Sequence, residues 1–334
     1  MTRPLTVPSA VPTSELRTGD RLDHYLIESV VARSGMASIF RATDLRNGGS
    51  VAIKVPHPGM GNDPVFLARF EREAEIGADL DHPGVMKVFR QDAPSGLYMV
   101  MEWVEGCELR RYLMQRGKLA PARAIEIAIR VCRTLDYIHA SGVIHRDLKP
   151  ENIMIDDDGR TKLIDFGIAS RPASRRLTFG DMSQVMGTPD YISPEQVSGT
   201  PGDARSDIYA LGVMLYEMLT GRTPFRGSNP FAVMNDRLLN NPIPPRELDP
   251  AISPELQEVI YRALRRDPAT RYSSAARFAY DLEHLDDIEV ADRPELLEWD
   301  WRRRPLVKTA ALYLGLALIP VTIFAVLYHV AGRF

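Results

Sequence analysis

The chain has 334 residues, 45% of them hydrophobic and 25% charged, with a formal net charge of −3. That balance suits one large globular domain or two moderate ones, and it excludes the strongly basic footprint of a nucleic-acid binder. Two distant cysteines, Cys107 and Cys132, have neither metal-ligand spacing nor the density of a disulfide framework, so reduced thiols are expected.

Residues 1–24 carry Pro4, Pro8 and Pro12 and no apolar core, which reads as a flexible leader without a signal peptide. Residues 25–104 then read as mostly strand. Tyr25–Val31 and Ser38–Ala42 are β-rich runs parted by a small-residue turn. Asn47-Gly48-Gly49 is a turn signal, and Val51–Val55 follows as an apolar strand. Asp63–Leu80 is predicted as a helix, with Phe66, Phe70 and Ala74 at helical spacing. Leu97–Val104 is a further short strand.

After Gly106 the periodicity becomes helical. Pro121–His139 is amphipathic, with Ile125, Ala128, Ile129, Cys132 and Leu135 on one face and Gly142 as its stop. Later helices are predicted at Ala204–Thr220, Pro254–Arg265 and Ser274–Leu285. The expected fold is α+β: a small β-rich lobe, about 25–104, and a larger helical lobe, about 105–285, with a cleft between them. Residues 286–308 are expected as a charged juxtamembrane linker.

Thr309 to Val330 then form a stretch of 22 residues with no acidic or basic side chain except His329. At about 1.5 Å per residue this spans roughly 30 Å, the thickness of a bilayer core, so a transmembrane helix is expected, kinked at Pro320. Arg302, Arg303, Arg304 and Lys308 precede it and only Arg333 follows, which places the N-terminal bulk in the cytoplasm. Residues 331–334 are left as a short external tail, with no external sensor domain.

The chemistry-bearing residues come in a fixed order. Lys54, in Val51-Ala52-Ile53-Lys54, alternates onto the same strand face as Ala52 and points into the cleft. Glu73, on the following helix, is its candidate anionic partner, with Glu71 and Glu75 as competitors. In His145-Arg146-Asp147-Leu148-Lys149-Pro150-Glu151-Asn152, Asp147 has the position of a carboxylate that orients an attacking hydroxyl. Lys149 can neutralise a transferring phosphoryl group. Asn152 and Asp165, the latter in Asp165-Phe166-Gly167, offer the oxygen donors that a hard cation such as Mg²⁺ prefers.

Taken in order, Lys54, Glu73, His145-Arg146-Asp147, Asp165-Phe166-Gly167 and Ser193-Pro194-Glu195 resemble the eukaryotic-like protein kinase family over about residues 25–285. Gly187-Thr188-Pro189-Asp190-Tyr191-Ile192-Ser193-Pro194-Glu195-Gln196 and Asp267-Pro268-Ala269-Thr270-Arg271-Tyr272 resemble its bacterial serine/threonine branch, and Lys149 favours Ser/Thr acceptors. The resemblance implies a two-lobed kinase fold that uses ATP and Mg²⁺, with Mn²⁺ as a substitute. It implies protein substrates and pairing of copies through the small lobe. Together with the membrane segment it implies a single-pass protein of a bacterial cell membrane that touches lipid through its C-terminal helix.

Position by position, the resemblance puts Val31 and Ile39 around adenine with Ala52. Met101 stands at the back of the pocket, with the hinge backbone at Glu102 and Val104. Asp207 braces the catalytic loop, and Glu195 pairs with Arg271 in a structural role. Arg146 would meet a phosphate on the activation segment at Thr178 or Ser183, with Ser174 a weaker candidate, while Thr188 would approach Asp147 and Lys149. The phosphate loop departs from the family. Ala32, Ser34 and Ala37 stand at the glycine positions, with Gly35 beside the second. A substitution of this kind costs about 1 kcal/mol wherever the backbone needs a left-handed residue, so weaker ATP binding is expected. Two other readings stay open: a pseudokinase scaffold, for which the altered loop speaks, and a small-molecule kinase.

Overall fold

The computed structural model describes residues 16–92, 94–165 and 189–291. Its first lobe is a twisted antiparallel sheet in the order β1-β2-β3-β4-β6-β5. The strands are β1 (Arg21–Leu22), β2 (Tyr25–Arg33), β3 (Ala37–Asp44), β4 (Gly49–Pro56), β5 (Val88–Phe89) and β6 (Met99–Glu102). Asn47 and Gly48 turn β3 into β4: Asn47 Oδ1 accepts the Gly49 N–H at 2.8 Å, and Gly48 takes a φ of 74° that favours glycine. β4 is buried on both faces because the sheet packs on two sides. Val51 and Ile53 join Tyr25, Ile27, Phe40 and Val100 on the outer face. Ala52 joins Met99 and Met101 on the inner face, against Phe70 of the first helix.

That helix is α1 (Pro64–Asp79). It starts where Asp63 accepts the N–H groups of Val65 and Phe66 and proline takes the first helical position. Phe70, Glu73 and Gly77 lie on its buried face. Helical spacing therefore aims a carboxylate, not another apolar group, at the sheet beside Lys54.

The second lobe contains α2 (Leu109–Arg116), α3 (Pro121–Ala140), α4 (Ala204–Thr220), α5 (Pro230–Leu239), α6 (Pro254–Ala263) and α7 (Ala275–Glu283). α4 is buried almost all round, the pattern of a central helix. It approaches α6 so closely that a Cβ on Gly212 would lie 2.8 Å from the Ala263 Cβ. α3 packs Ile127, Val131, Cys132, Leu135 and Ile138 into the same core, while the predicted Ile125 and Ile129 are only partly buried. The buried stripe is rotated from the one the sequence suggested. A small sheet of β7 (Cys107–Glu108), β8 (Ile153–Ile155) and β9 (Thr161–Leu163) follows the loop at residues 145–152.

The lobes join twice. The chain crosses through residues 102–106, where a Cβ on Gly106 would lie 2.3 Å from the Ile155 carbonyl oxygen. The stretch before β5 also binds β9: the Leu163 N–H donates to Gly84 O at 2.8 Å and the Met86 N–H to Leu163 O at 2.9 Å.

Two expectations change. Part of the expected leader is folded, since β1 pairs with β2 through Arg21↔Leu26 and Leu22 is buried in the outer core with Leu16 against it. The start of the expected linker also folds, because Ile288 packs on the helical core. Among the described residues, no helix is long and apolar enough to cross a membrane, and the expected span at 309–330 lies outside them. Residues Val290–Phe334 separate as a second unit.

Candidate active site

β4 and α1 build the first half of the site. Register puts Lys54 between Ile39 and Met99 on the neighbouring strands, and its Nζ meets Glu73 Oε1 at 2.8 Å. The pair is largely buried, and Asp165 acts on both members. Burial and the Asp165 carboxylate push the Glu73 carboxyl up to about 7, against the pull of Lys54. Burial opposes the Lys54 charge, but Asp165 and Glu73 outweigh it and raise the ammonium's pKa. Asp165 brings to this pair the kind of hard oxygen donor that a divalent cation prefers.

The catalytic loop builds the second half. Lys149 Nζ donates to Asp147 Oδ2 at 2.7 Å, and Asn152 Nδ2 donates to the Asp147 backbone oxygen at 2.7 Å. With its amide nitrogen committed there, Asn152 keeps its side-chain oxygen as the remaining donor to a metal. Arg146 sits at φ 64°, a strained backbone for a residue with a Cβ. It is held from both sides. Its N–H donates to Asp207 Oδ1 at 2.8 Å, and its carbonyl accepts from Gln196 Nε2 at 3.1 Å. Asp207, buried in the first turn of α4, also accepts from the His145 N–H at 2.9 Å and lies 2.7 Å from His139 Nε2. The deepest helix of the lobe thereby fixes the loop.

Where the sequence predicts the adenine pocket, Ala52 and Met101 are buried and Ile39, Trp103 and Val104 pack against them. Val31 is half exposed and sits at a register slip of β2. The Glu102 carboxylate pairs with Lys162 at 2.7 Å, and its N–H donates to the Lys87 carbonyl at 2.8 Å. The Trp103 indole lies beneath the Arg41 guanidinium, 4.7 Å from the ring centroid, and its N–H donates to Glu105 at 2.8 Å.

The phosphate loop corrects an expectation. Among the described residues other than glycine, only Asp23 and Arg146 have positive φ, and Gly35 has none either. Ala32, Ser34 and Ala37 therefore occupy ordinary backbone and carry no left-handed penalty. The turn is closed by Ser34. Its N–H donates to Ala37 O at 2.9 Å, and its Oγ accepts the N–H groups of Met36 at 3.3 Å and Ala37 at 3.1 Å.

One network went unforeseen. Arg110 of α2 donates to Glu151 of the catalytic loop at 2.9 Å, to Glu217 of α4 at 2.7 Å, and to the Tyr191 hydroxyl, which itself donates to Glu217. Burial and the Glu217 carboxylate push the Tyr191 phenol up. These residues lie far apart in sequence, and no local spacing joins them. Thr178, Ser183 and Thr188, like Phe166 and Gly167, lie outside the described residues.

The protein kinase domain family matches residues 25–282. The serine/threonine-protein kinase PknB of Mycolicibacterium smegmatis is 40% identical over 82% of this chain and 45% of its own length. PknB of Mycobacterium tuberculosis is 39% identical over 86% of this chain and 47% of its own. The chain thus spans less than half the length of these curated relatives. The crystal structure of the Mycobacterium tuberculosis PknI kinase domain superposes with a TM-score of 0.64 at 28% identity, covering 82% of this chain and all of that one. The lobes, the cleft and the match over most of the sequence agree: this chain belongs to the protein kinase family.

Proposed function

We propose that the chain is an active serine/threonine protein kinase that transfers the ATP γ-phosphoryl group to protein hydroxyls. The observation that carries this reading is the Asp147 carboxylate, held 2.7 Å from Lys149 at the end of a loop braced by Asp207. Asp147 orients the acceptor hydroxyl and receives its proton. Lys149 faces the charge that develops on the transferring group. Lys54, steadied by Glu73, holds the α- and β-phosphates. Asn152 and Asp165 are the residues that would hold Mg²⁺, which when bound neutralises phosphate charge. Adenine would meet the Glu102 carbonyl and the Val104 N–H between Val31, Ile39, Ala52 and Met101.

Incubation of the full chain with radiolabelled ATP and Mg²⁺, beside Asp147→Asn, tests the reading. Label on protein from the wild type alone supports it. A wild type that binds nucleotide and transfers nothing returns the case to the scaffold reading. The altered loop was that reading's support, and the unstrained backbone at Ala32, Ser34 and Ala37 weakens it.

Arg146 would dock a phosphate on Thr178 or Ser183, which phosphopeptide mapping after incubation with ATP checks. The apolar run at 309–330 supports a single-pass tether with the kinase lobes in the cytoplasm, and membrane flotation of the full chain tests it. Pairing through the small lobe rests on the resemblance alone, and sedimentation measures it.

A further inference from the structure

The turn that faces the phosphate end of the cleft contains its own acceptor. Ser34–Ala37 joins β2 to β3, and the next register positions bring Ile39 beside Lys54. The turn therefore lies a few register positions beyond Lys54, where Met36 O accepts the His57 N–H at 2.8 Å. A loop of this kind grips phosphate through backbone N–H groups, since they are the donors it can offer at close range. Here two of those donors, on Met36 and Ala37, converge on one oxygen, Ser34 Oγ, at 3.3 and 3.1 Å. The same hydroxyl donates to the Ala37 carbonyl at 3.0 Å. A hydroxyl with two accepted bonds and one donated bond is saturated. Each amide has one hydrogen to give, so a phosphate oxygen can take these donors only after the Ser34 side chain lets go. Ser34 is exposed to water, which can take over the bonds its hydroxyl gives up.

We propose that the Ser34 hydroxyl is an internal surrogate for a phosphate oxygen, a competitor that a nucleoside di- or triphosphate displaces from the Met36 and Ala37 amides. Ser34 is then a positioning residue that sets how tightly the phosphates are held, separately from the adenine pocket. The loop's lost glycines act through this side-chain competition, not through strain. The inference rests on the nucleotide reading of the cleft.

The test is a calorimetric titration of the full chain, wild type and Ser34→Ala, with Mg·ADP and with adenosine. Alanine fits the backbone at this position, and the variant frees both amides. ADP should bind roughly three- to tenfold more tightly to Ser34→Ala, the scale of one net hydrogen bond, while adenosine affinity stays as in the wild type. Amide hydrogen exchange gives a second readout. Met36 and Ala37 should exchange faster in Ser34→Ala than in the wild type, and ADP should restore their protection. Equal or weaker ADP binding by the variant, or an equal gain for adenosine, overturns the surrogate role and leaves the nucleotide site standing. A wild type that binds neither compound overturns the nucleotide reading, and this inference with it.

Discussion

At the scale of single residues, the site depends on groups held away from their ordinary states. Glu73 is the clearest. With its carboxyl near 7 because of burial and the Asp165 charge, it gains a proton as pH falls through neutrality, and Lys54 loses its anionic partner. The KM for ATP should therefore rise between about pH 8 and about pH 6, with an inflection near 7. Glu73→Gln should show a high, flat KM over the same range; an unchanged inflection in that variant would assign the titration to another group. Arg146 is the second case. A left-handed backbone at a residue with a Cβ costs roughly 1–3 kcal/mol and persists only when its surroundings impose it. Asp207 accepts the consecutive His145 and Arg146 N–H groups that lead into the strained backbone. Asp207→Ala should lower kcat by at least about tenfold through loop release, while adenosine still binds, as steady-state rates beside calorimetry would report.

At the scale of elements, the helical lobe is pinned by one ion pair. Arg271 has a fully buried side chain and uses its donors on both Glu195 oxygens and on the carbonyls of Arg205, Arg265 and Arg266. Removing only the carboxylate leaves that charge stranded, so Glu195→Ala should destabilise the lobe by about 3–5 kcal/mol. The double replacement Glu195→Leu with Arg271→Met should recover part of the loss, and urea unfolding of the series measures both. Burial works against the Glu195 charge, but Arg271 and Ser206 outweigh it and hold its carboxyl below the usual range. A group depressed in this way stabilises the fold above its unfolded pKa, and the gain disappears as pH falls through the folded value, so the pair adds acid sensitivity. Much at this scale was legible in the sequence. Ala204–Thr220 agrees with its predicted bounds, because an apolar helix capped by Asp203 and stopped by Gly221 leaves little choice. α2 and α5 were not foreseen. Arg110 and Arg111 crowd the start of α2 with charge, and α5 follows the loop-like Gly227-Ser228-Asn229 with its apolar residues bunched at 231–234 and 238–239 instead of spaced as a stripe. The catalytic loop was readable because its residues are neighbours in the chain. The Arg110, Glu151, Tyr191 and Glu217 network was not, because only tertiary folding brings those residues together.

For the whole molecule, the lower bound of the small lobe matters. Leu16 and Leu22 cover the outer face of the sheet, so a chain beginning at residue 25 should melt several degrees below one beginning at residue 16, a difference that calorimetry reads directly. The two lobes meet at residues 102–106, and there the molecule holds an optical probe of its own. Of three tryptophans in the sequence, Trp299 and Trp301 lie beyond residue 291, so a chain cut at that point retains Trp103 alone. Its indole is covered by the Arg41 guanidinium on one lobe and bonded to Glu105 on the segment leading to the other. A change in the angle between the lobes shifts Glu105 relative to the indole it accepts from, and with it the polarity the excited ring experiences. Emission from the shortened chain becomes a label-free gauge of domain closure: ADP should shift it saturably, and Trp103→Phe should abolish the signal.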